Sequence, residues 1–186
     1  ALYLRGRLPH LPGVAIVGTR QPSQAALHCT RDLTSGVARG GYSVWSGGAI
    51  GIDTAAHETA LNASTPTVVV MAGGLDDPYP RRNSKLFQRV LAAGGALISV
   101  HPDGTPRRQW QFLLRNAVLA ALSDAMVVVQ APSKSGALSA SRHARELNRP
   151  VFVIPHSPWD PLGAGSALEL VRGATPITNA RQLVQT

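Results

Sequence analysis

Cysteine and lysine are scarce in this chain of 186 residues, and charged residues of both signs make up only 15% of it. With one cysteine, Cys29, the chain can form no internal disulfide and no cysteine-rich metal site, which favours a reducing, cytoplasmic setting. No apolar run approaches the roughly 20 residues of a membrane-spanning helix. The N-terminus also lacks the pattern of a signal peptide. The composition therefore predicts a globular cytoplasmic protein with no membrane association.

Arginine supplies most of the charge that is present. Lysine and arginine number 18 against 10 acidic residues, a formal net charge of +8, and only Lys85 and Lys134 are lysines. Such an excess favours a polyanionic partner, most simply nucleic acid, although solubility or a genomic preference for arginine would also produce it. The planar guanidinium group suits phosphate because it offers two parallel hydrogen bonds.

Apolar runs alternate with helical patterns along the chain. These runs are continuous rather than interrupted by polar residues, which is typical of strands buried on both faces. The alternation predicts an α/β fold, a doubly wound, mostly parallel sheet with helices on both faces. Residues 1–12 are interpreted as a short entry segment, and no linker divides residues 1–186, so a single domain is expected. The six clearest runs are residues 14–17, 42–45, 67–71, 96–100, 125–129 and 151–154.

Glycine-rich turns follow several of these predicted strands. Since the carboxyl ends of parallel strands meet at one edge of the sheet, the turns are expected to lie together there. Backbone amides of such a turn before a helix bind anions, phosphate above all. For a single turn, simple relief of backbone strain by glycine is an equal alternative. The turns contain Gly18, Thr19 and Arg20; Ser46, Gly47, Gly48, Gly51 and Asp53; Gly73 and Gly74; and Ser135 and Gly136.

Arg20 differs from an ordinary surface arginine because it follows a strand and a glycine, where its charge costs desolvation unless it meets an anion. Other basic residues on the same predicted edge would singly be solvated charges, but together they predict one basic groove. Aromatic residues alternate with them, the combination that binds single strands through phosphates and bases. The basic residues are Arg81, Arg82, Lys85, Arg107, Arg108 and Arg115, and the aromatic ones are Tyr79, Trp110 and Phe112.

Catalytic chemistry has little support in the sequence. The first turn lacks the G-x-G-x-x-G fingerprint and no lysine phosphate loop is present, so neither a dinucleotide cofactor nor ATP hydrolysis is expected. Asp53 and His57 lie one helical turn apart and could form an acid–base pair, but a capping carboxylate beside a structural histidine is the favoured interpretation. Cys29 is predicted to lie in the core, and the histidines lack metal-ligand spacing. We expect no catalytic residue, cofactor or metal.

The order of the motifs resembles that of the DNA-processing protein A family (DprA, also called Smf), bacterial proteins of natural transformation. The resemblance implies an extended Rossmann fold that binds and protects single-stranded DNA and loads the RecA recombinase onto it. It also implies a homodimer without enzymatic turnover, and the small flanking modules of the family are not found in residues 1–186. The matching segments are residues 2–6, 14–20, 46–61, 73–86, 112–116, 135–136 and 173–174.

The resemblance transfers a DNA-binding pocket onto Arg20 and Lys85, and it maps Arg115 and Asn116 onto another characteristic motif of the same edge. The chain departs from the family pattern at several other positions. Val100 and Gln130 stand where acidic residues are common, Ala117 where arginine is usual, and His156 where glycine is frequent. Together with the glycine turns, the predicted DNA- or phosphate-binding residues are Gly18, Thr19, Arg20, Ser46, Gly47, Gly48, Gly51, Asp53, Gly73, Gly74, Arg82, Asn83, Lys85, Arg115, Asn116, Ser135 and Gly136.

Two other functions remain open at this point. Related Rossmann-like proteins sense small nucleotides or cleave nucleoside monophosphates, and a phosphoribohydrolase would carry a Pro-Gly-Gly-x-Gly-Thr-x-x-Glu segment. The corresponding region here has Ser135 and Gly136 with no suitably placed glutamate, which disfavours catalysis but leaves nucleotide binding possible. A diverged scaffold that keeps only dimer and partner contacts is the third possibility.

Overall fold

One eight-stranded sheet organises the chain, and the computed structural model describes residues 1–184. No helix in this part combines the length and the apolar composition needed to cross a membrane. The elements are β1 Tyr3–Gly6, β2 Gly13–Val17, α1 Gln24–Arg39, β3 Ser43–Ser46, α2 Ile52–Asn62, β4 Thr67–Val70, α3 Ser84–Ala92, β5 Ala96–Ser99, α4 Gln109–Leu122, β6 Ala125–Val128, α5 Ala137–Glu146, β7 Val151–Val153, α6 Ala164–Val171, β8 Thr175–Pro176 and α7 Arg181–Val184.

The strand order is β1-β5-β4-β3-β2-β6-β7-β8, and every pair is parallel except β1 with β5. The chain winds outward from β2 to β5 and then returns to place β6 on the other side of β2. The order of strands reverses at this point, where open α/β sheets form a ligand crevice at the carboxyl ends of the strands. The predicted fold class is confirmed.

The entry segment contains an element that the sequence pattern did not predict, because residues 3–6 form the edge strand β1. Tyr3 pairs with Ser99 and Gly6 with Ala96, in the one antiparallel ladder of the described sheet. All four residues of β1 are exposed. An edge strand that buries so little apolar surface has no continuous apolar run, which is why the sequence pattern missed it.

Alternate residues of each strand pack into helical layers on opposite faces of the sheet. Val14 and Ile16 of β2 pack with α1, α2 and α7, whereas Ala15 and Val17 pack with α4 and α5. A third apolar cluster joins β4 and β5 to α3. Because both faces are covered, the strands must be apolar throughout, and polar chemistry is left to the row of strand ends.

His57 lies fully buried in α2 and is part of this core. Its Nδ1 is 2.7 Å from Thr67 Oγ1, whose single hydrogen is donated to the Val44 carbonyl. Nδ1 must therefore carry the imidazole hydrogen, and Nε2 has no partner among the described residues. Burial, reinforced by the charge of Arg115, lowers the pKa of His57 to about 3. The imidazole is thus a neutral structural group, as the favoured sequence interpretation held.

The pKa of His57 makes the stability of the protein sensitive to acid. The unfolded chain takes up this proton near pH 6.5 and the folded chain only near 3, so stability falls as the pH drops between these values. Between pH 7 and pH 5 the wild-type free energy of unfolding should drop about 2 kcal/mol further than that of His57→Gln. Urea denaturation at several pH values measures the difference. The exposed His10→Gln should retain the wild-type dependence, and an unchanged dependence in His57→Gln would contradict the assignment.

Candidate nucleic-acid interface

A cleft of about 530 Å³ opens at the carboxyl ends of β2, β3 and β6. Its walls are the turn after β2, the glycine turn after β3, the inward face of α4 and the loop before α5. The topology therefore brings together several segments that are distant in sequence, as the predicted edge required. The predicted residues that line this cleft are Gly18, Thr19, Arg20, Gly47, Asp53, Arg115, Asn116, Ser135 and Gly136.

The glycine turn after β3 already holds an anion, the carboxylate of Asp53. Asp53 Oδ2 accepts hydrogen bonds from the amides of Gly47 and Ala49, each at 3.2 Å. Burial raises the pKa of the Asp53 carboxyl, and the charge of Arg115 opposes this shift. The structure therefore assigns these two amides to the chain's own carboxylate, where the sequence had predicted phosphate. Asp53 reaches them because it lies in the first turn of α2, directly after the glycines.

Arg115, on α4, supports the glycine turn after β3 through hydrogen bonds. Its Nη1 donates to the carbonyls of Gly47 and Val70, the second at 3.1 Å, and its Nε donates to Asn116 Oδ1 at 3.1 Å. Asn116 Nδ2 in turn donates to the Gly136 carbonyl at 3.0 Å. Burial lowers the pKa of the Arg115 guanidinium, and the charge of Asp53 acts against this. The pair thus ties α4 to the ends of β3 and β4 and to the loop after β6.

Other predicted residues support the turns from outside the cleft. Ser46 is buried and donates to the Ile16 carbonyl at 2.7 Å. Asn83 Nδ2 donates to the Gly48 carbonyl at 2.9 Å and to Thr54 Oγ1 at 2.8 Å. Gly51 has a φ of 89°, and a Cβ there would lie 2.5 Å from the Thr19 carbonyl oxygen, so glycine lets two turns approach closely.

The remaining predicted residues also lie outside the cleft. Arg82 is exposed just before α3, and Lys85 is exposed in the first turn of α3. Gly73 and Gly74 are buried beneath the loop after β5, where a Cβ on Gly74 would lie 2.8 Å from the Pro102 carbonyl oxygen. These glycines make room for a loop and do not face the cleft. The sequence correctly placed Gly73 and Gly74 at the same edge of the sheet as the other turns. It did not predict that they pack beneath a loop and away from the cleft.

Two aromatic rings lie between two arginine side chains at the mouth of the cleft. The guanidinium carbon of Arg20 lies 5.8 Å from the centre of the Phe112 ring, and the ring of Tyr79 meets that of Phe112 edge-on at 6.0 Å. Arg107 in turn lies 4.9 Å from the centre of the Tyr79 ring. These contacts extend the cleft into a more open hollow of about 920 Å³, lined in part by Arg20, Tyr79, Arg107, Trp110 and Phe112.

Two kinds of residue were missing from the predicted set. Phe112, Tyr79 and Arg107 had been noted as part of an aromatic and basic pattern, but the predicted set took in glycine turns and not these side chains. Lys134 lines the cleft beside Ser135. Its signal was available, since it is one of two lysines and directly precedes a predicted turn.

The comparison with protein families agrees with this geometry. The family model of DNA recombination-mediator protein A matches residues 1–186. The chain belongs to this family. The Smf protein of Synechocystis sp. is 40% identical over 190 residues, covering 98% of this chain and 47% of that protein. The chain thus spans about half the length of this relative, and it spans 44% of the Mycobacterium tuberculosis relative, a putative DNA processing protein DprA.

Solved structures of the family share the whole fold. The X-ray structure of DprA from Streptococcus pneumoniae matches with a TM-score of 0.91 at 31% identity, covering 99% of this chain and 65% of that one. DprA from Helicobacter pylori, whose structure describes a single-stranded DNA binding mode, matches with a TM-score of 0.88 at 32% identity, covering 99% and 85%. The family resemblance of the sequence is therefore confirmed.

The close packing of Gly47 against Arg115 allows a test of the support that Arg115 gives to the glycine turn. A Cβ at position 47 would lie 2.0 Å from Arg115 Nη1, so Gly47→Ala must displace the guanidinium. We expect the free energy of unfolding to fall by roughly 1–3 kcal/mol, as overpacking of a tight site does. Gly136→Ala is the matched control, because nothing lies within 4 Å of its Cβ position, and its stability should stay near wild type. Equal stability of both variants in urea denaturation would contradict the supporting role of Arg115.

Proposed function

We propose that this chain is a non-enzymatic single-stranded DNA-binding protein of natural transformation and recombination. The observation that carries the proposal is that the rings of Phe112 and Tyr79 lie between the guanidinium groups of Arg20 and Arg107 at the mouth of the cleft. Single strands are bound by such surfaces because arginines take phosphates while flat rings stack with bases of any identity. Membership in the family supports the same conclusion, as does the single-stranded DNA binding mode described for its Helicobacter pylori member.

Arg20 is the best placed phosphate ligand. It is exposed, lines the cleft, and has no carboxylate within ion-pair distance among the described residues. Asp53 is the one acidic residue of the described cleft lining, and its charge is held by backbone amides and faces Arg115. The cleft therefore presents positive charge to a ligand, with Lys134 at its far wall.

Catalysis has no support in the arrangement of titratable groups. Asp53 and His57 are both buried, and each is engaged by backbone or side-chain partners within the fold. Neither offers an accessible base to a ligand in the cleft, which supports binding without turnover. A small nucleotide sensor remains the competing function, and competition by mononucleotides in the binding assays below distinguishes it.

Family membership also supports a homodimer that loads RecA onto the bound strand. Apolar side chains on and beside α6 are exposed, with Val171 at 86% and Trp159 at 88% of their full exposure. Exposed apolar side chains of this size are available to pack against a partner chain. Sedimentation should give twice the chain mass of 19.5 kDa, and a monomer at micromolar concentration would contradict the dimer.

Removal of the Arg20 charge tests the phosphate contact. Arg20→Gln should weaken binding of a labelled oligonucleotide about tenfold and reduce the slope of log K against log salt by about 0.7, the loss of one phosphate contact on a single strand. Arg31→Gln removes the same charge from an exposed position on α1, outside the cleft, and should change neither value much. Equal losses in both variants would reduce the effect to net charge, and displacement of the oligonucleotide by mononucleotides would favour the nucleotide sensor.

Substitution of Phe112 tests the contribution of the aromatic side chains to strand binding. Phe112→Ala should weaken oligonucleotide binding by about 1–3 kcal/mol, the value of one stacked base, while the salt slope stays unchanged because no phosphate contact is lost. Leu114→Ala is the control, since Leu114 is exposed on the same helix and does not line either hollow. A loss in Leu114→Ala as large as in Phe112→Ala would indicate disturbance of α4 and not a lost stack.

A further inference from the structure

Gln130 is a buried polar residue beneath the cleft that the predicted set did not contain. It lies just beyond β6 and is 1% exposed. Its carbonyl accepts the Thr19 amide at 2.7 Å. Its side chain makes two further bonds to one residue, since Oε1 accepts the Ser23 amide at 2.9 Å and Nε2 donates to Ser23 Oγ at 3.3 Å. Gln130 thus bonds through its backbone and its side chain to the turn that joins β2 to α1.

These bonds hold the turn on both sides of Arg20. Thr19 lies directly before Arg20 and is also fixed by its carbonyl, which accepts the Ile52 amide at 3.2 Å. Ser23 lies three residues after Arg20 and caps α1, its Oγ accepting the Ala26 amide at 3.1 Å. Gln130 therefore clamps the two ends of a short turn whose exposed arginine projects into the cleft.

Such a clamp matters for binding because a ligand must otherwise order the turn and a long side chain together. Immobilising a flexible side chain costs binding free energy, and a backbone fixed in advance reduces that cost. A glutamine amide suits the position since it accepts from the Ser23 amide and donates to the Ser23 hydroxyl at once. An apolar side chain of similar length would fill the space and leave the Ser23 amide without its partner.

We infer that Gln130 is a positioning residue for strand binding that acts through Arg20. The inference rests on the proposed function, since it takes single-stranded DNA as the ligand of the cleft. It assigns to Gln130 no contact with DNA. Its contribution therefore exists only while the Arg20 guanidinium is present to be positioned.

A double-mutant cycle separates this role from general structural support. The affinity for a labelled oligonucleotide is measured for wild type, Gln130→Met, Arg20→Gln and the double variant. Gln130→Met should weaken binding about five- to tenfold in the wild-type background and less than twofold in the Arg20→Gln background. The same loss in both backgrounds would overturn the inference while leaving the proposed function standing. Failure of the wild-type chain to bind the oligonucleotide would overturn both.

Two further variants keep the cycle decisive. Gln130→Glu retains an oxygen that accepts from the Ser23 amide and should bind more tightly than Gln130→Met; equal weakness of the two contradicts the inference. If Gln130→Met does not fold in a thermal scan, Ser23→Gly takes its place in the cycle, because glycine is tolerated as a helix cap and lacks the hydroxyl that Gln130 binds. Its two- to threefold loss should likewise vanish in the Arg20→Gln background, and persistence there overturns the inference.

Discussion

The buried carboxylate of Asp53 and the buried guanidinium of Arg115 fix the geometry on which the cleft depends. Asp53 holds the amides of the glycine turn, while Arg115 holds carbonyls of the same turn and of Val70. Because a buried charge left without its partners is strongly destabilising, neither group can be removed alone at low cost. The ends of β3 and β4 and the inner face of α4 are thereby set relative to one another.

Polar side chains at this edge of the sheet have two different roles, since some support the fold and others lie at the mouth of the cleft. Arg115 and Asn83 resemble ligand-binding residues in sequence, yet their hydrogen bonds go to backbone carbonyls of the fold. Arg20 and Arg107 differ from these two, since both pack against aromatic rings. Arg107 also donates to the carbonyl and the carboxylate of Asp77, at 2.7 and 2.8 Å, whereas Arg20 has no carboxylate within ion-pair distance among the described residues. The arginines of this sheet edge are thus divided between Arg115, which holds the wall of the cleft, and Arg20 and Arg107, which lie at its mouth.

The sheet could be predicted because strands buried on both faces leave continuous apolar runs, and its ligand edge followed from the parallel order. Strand β1 could not be predicted, since an exposed edge strand leaves no continuous apolar run in the sequence. Within the site, the sequence predicted which turns meet but not what each amide faces. The partner of Gly47 is a carboxylate from the next helix, and that of Gln130 is a residue 107 positions away. Such pairings depend on the packed fold and not on local pattern.

Because the carboxylate of Asp53 occupies the amides of the glycine turn, there is a consequence for how quickly a ligand can leave the cleft. A phosphate held by several buried amides must be lost in one step, together with the rigid cradle around it. Here the amides of Gly47 and Ala49 are already occupied, and the basic groups that line the cleft include the separate side chains of Arg20 and Lys134. A strand held in this way can be released contact by contact while the rest stays bound. If the cleft binds a single strand as proposed, this arrangement favours exchange of the strand over its permanent storage.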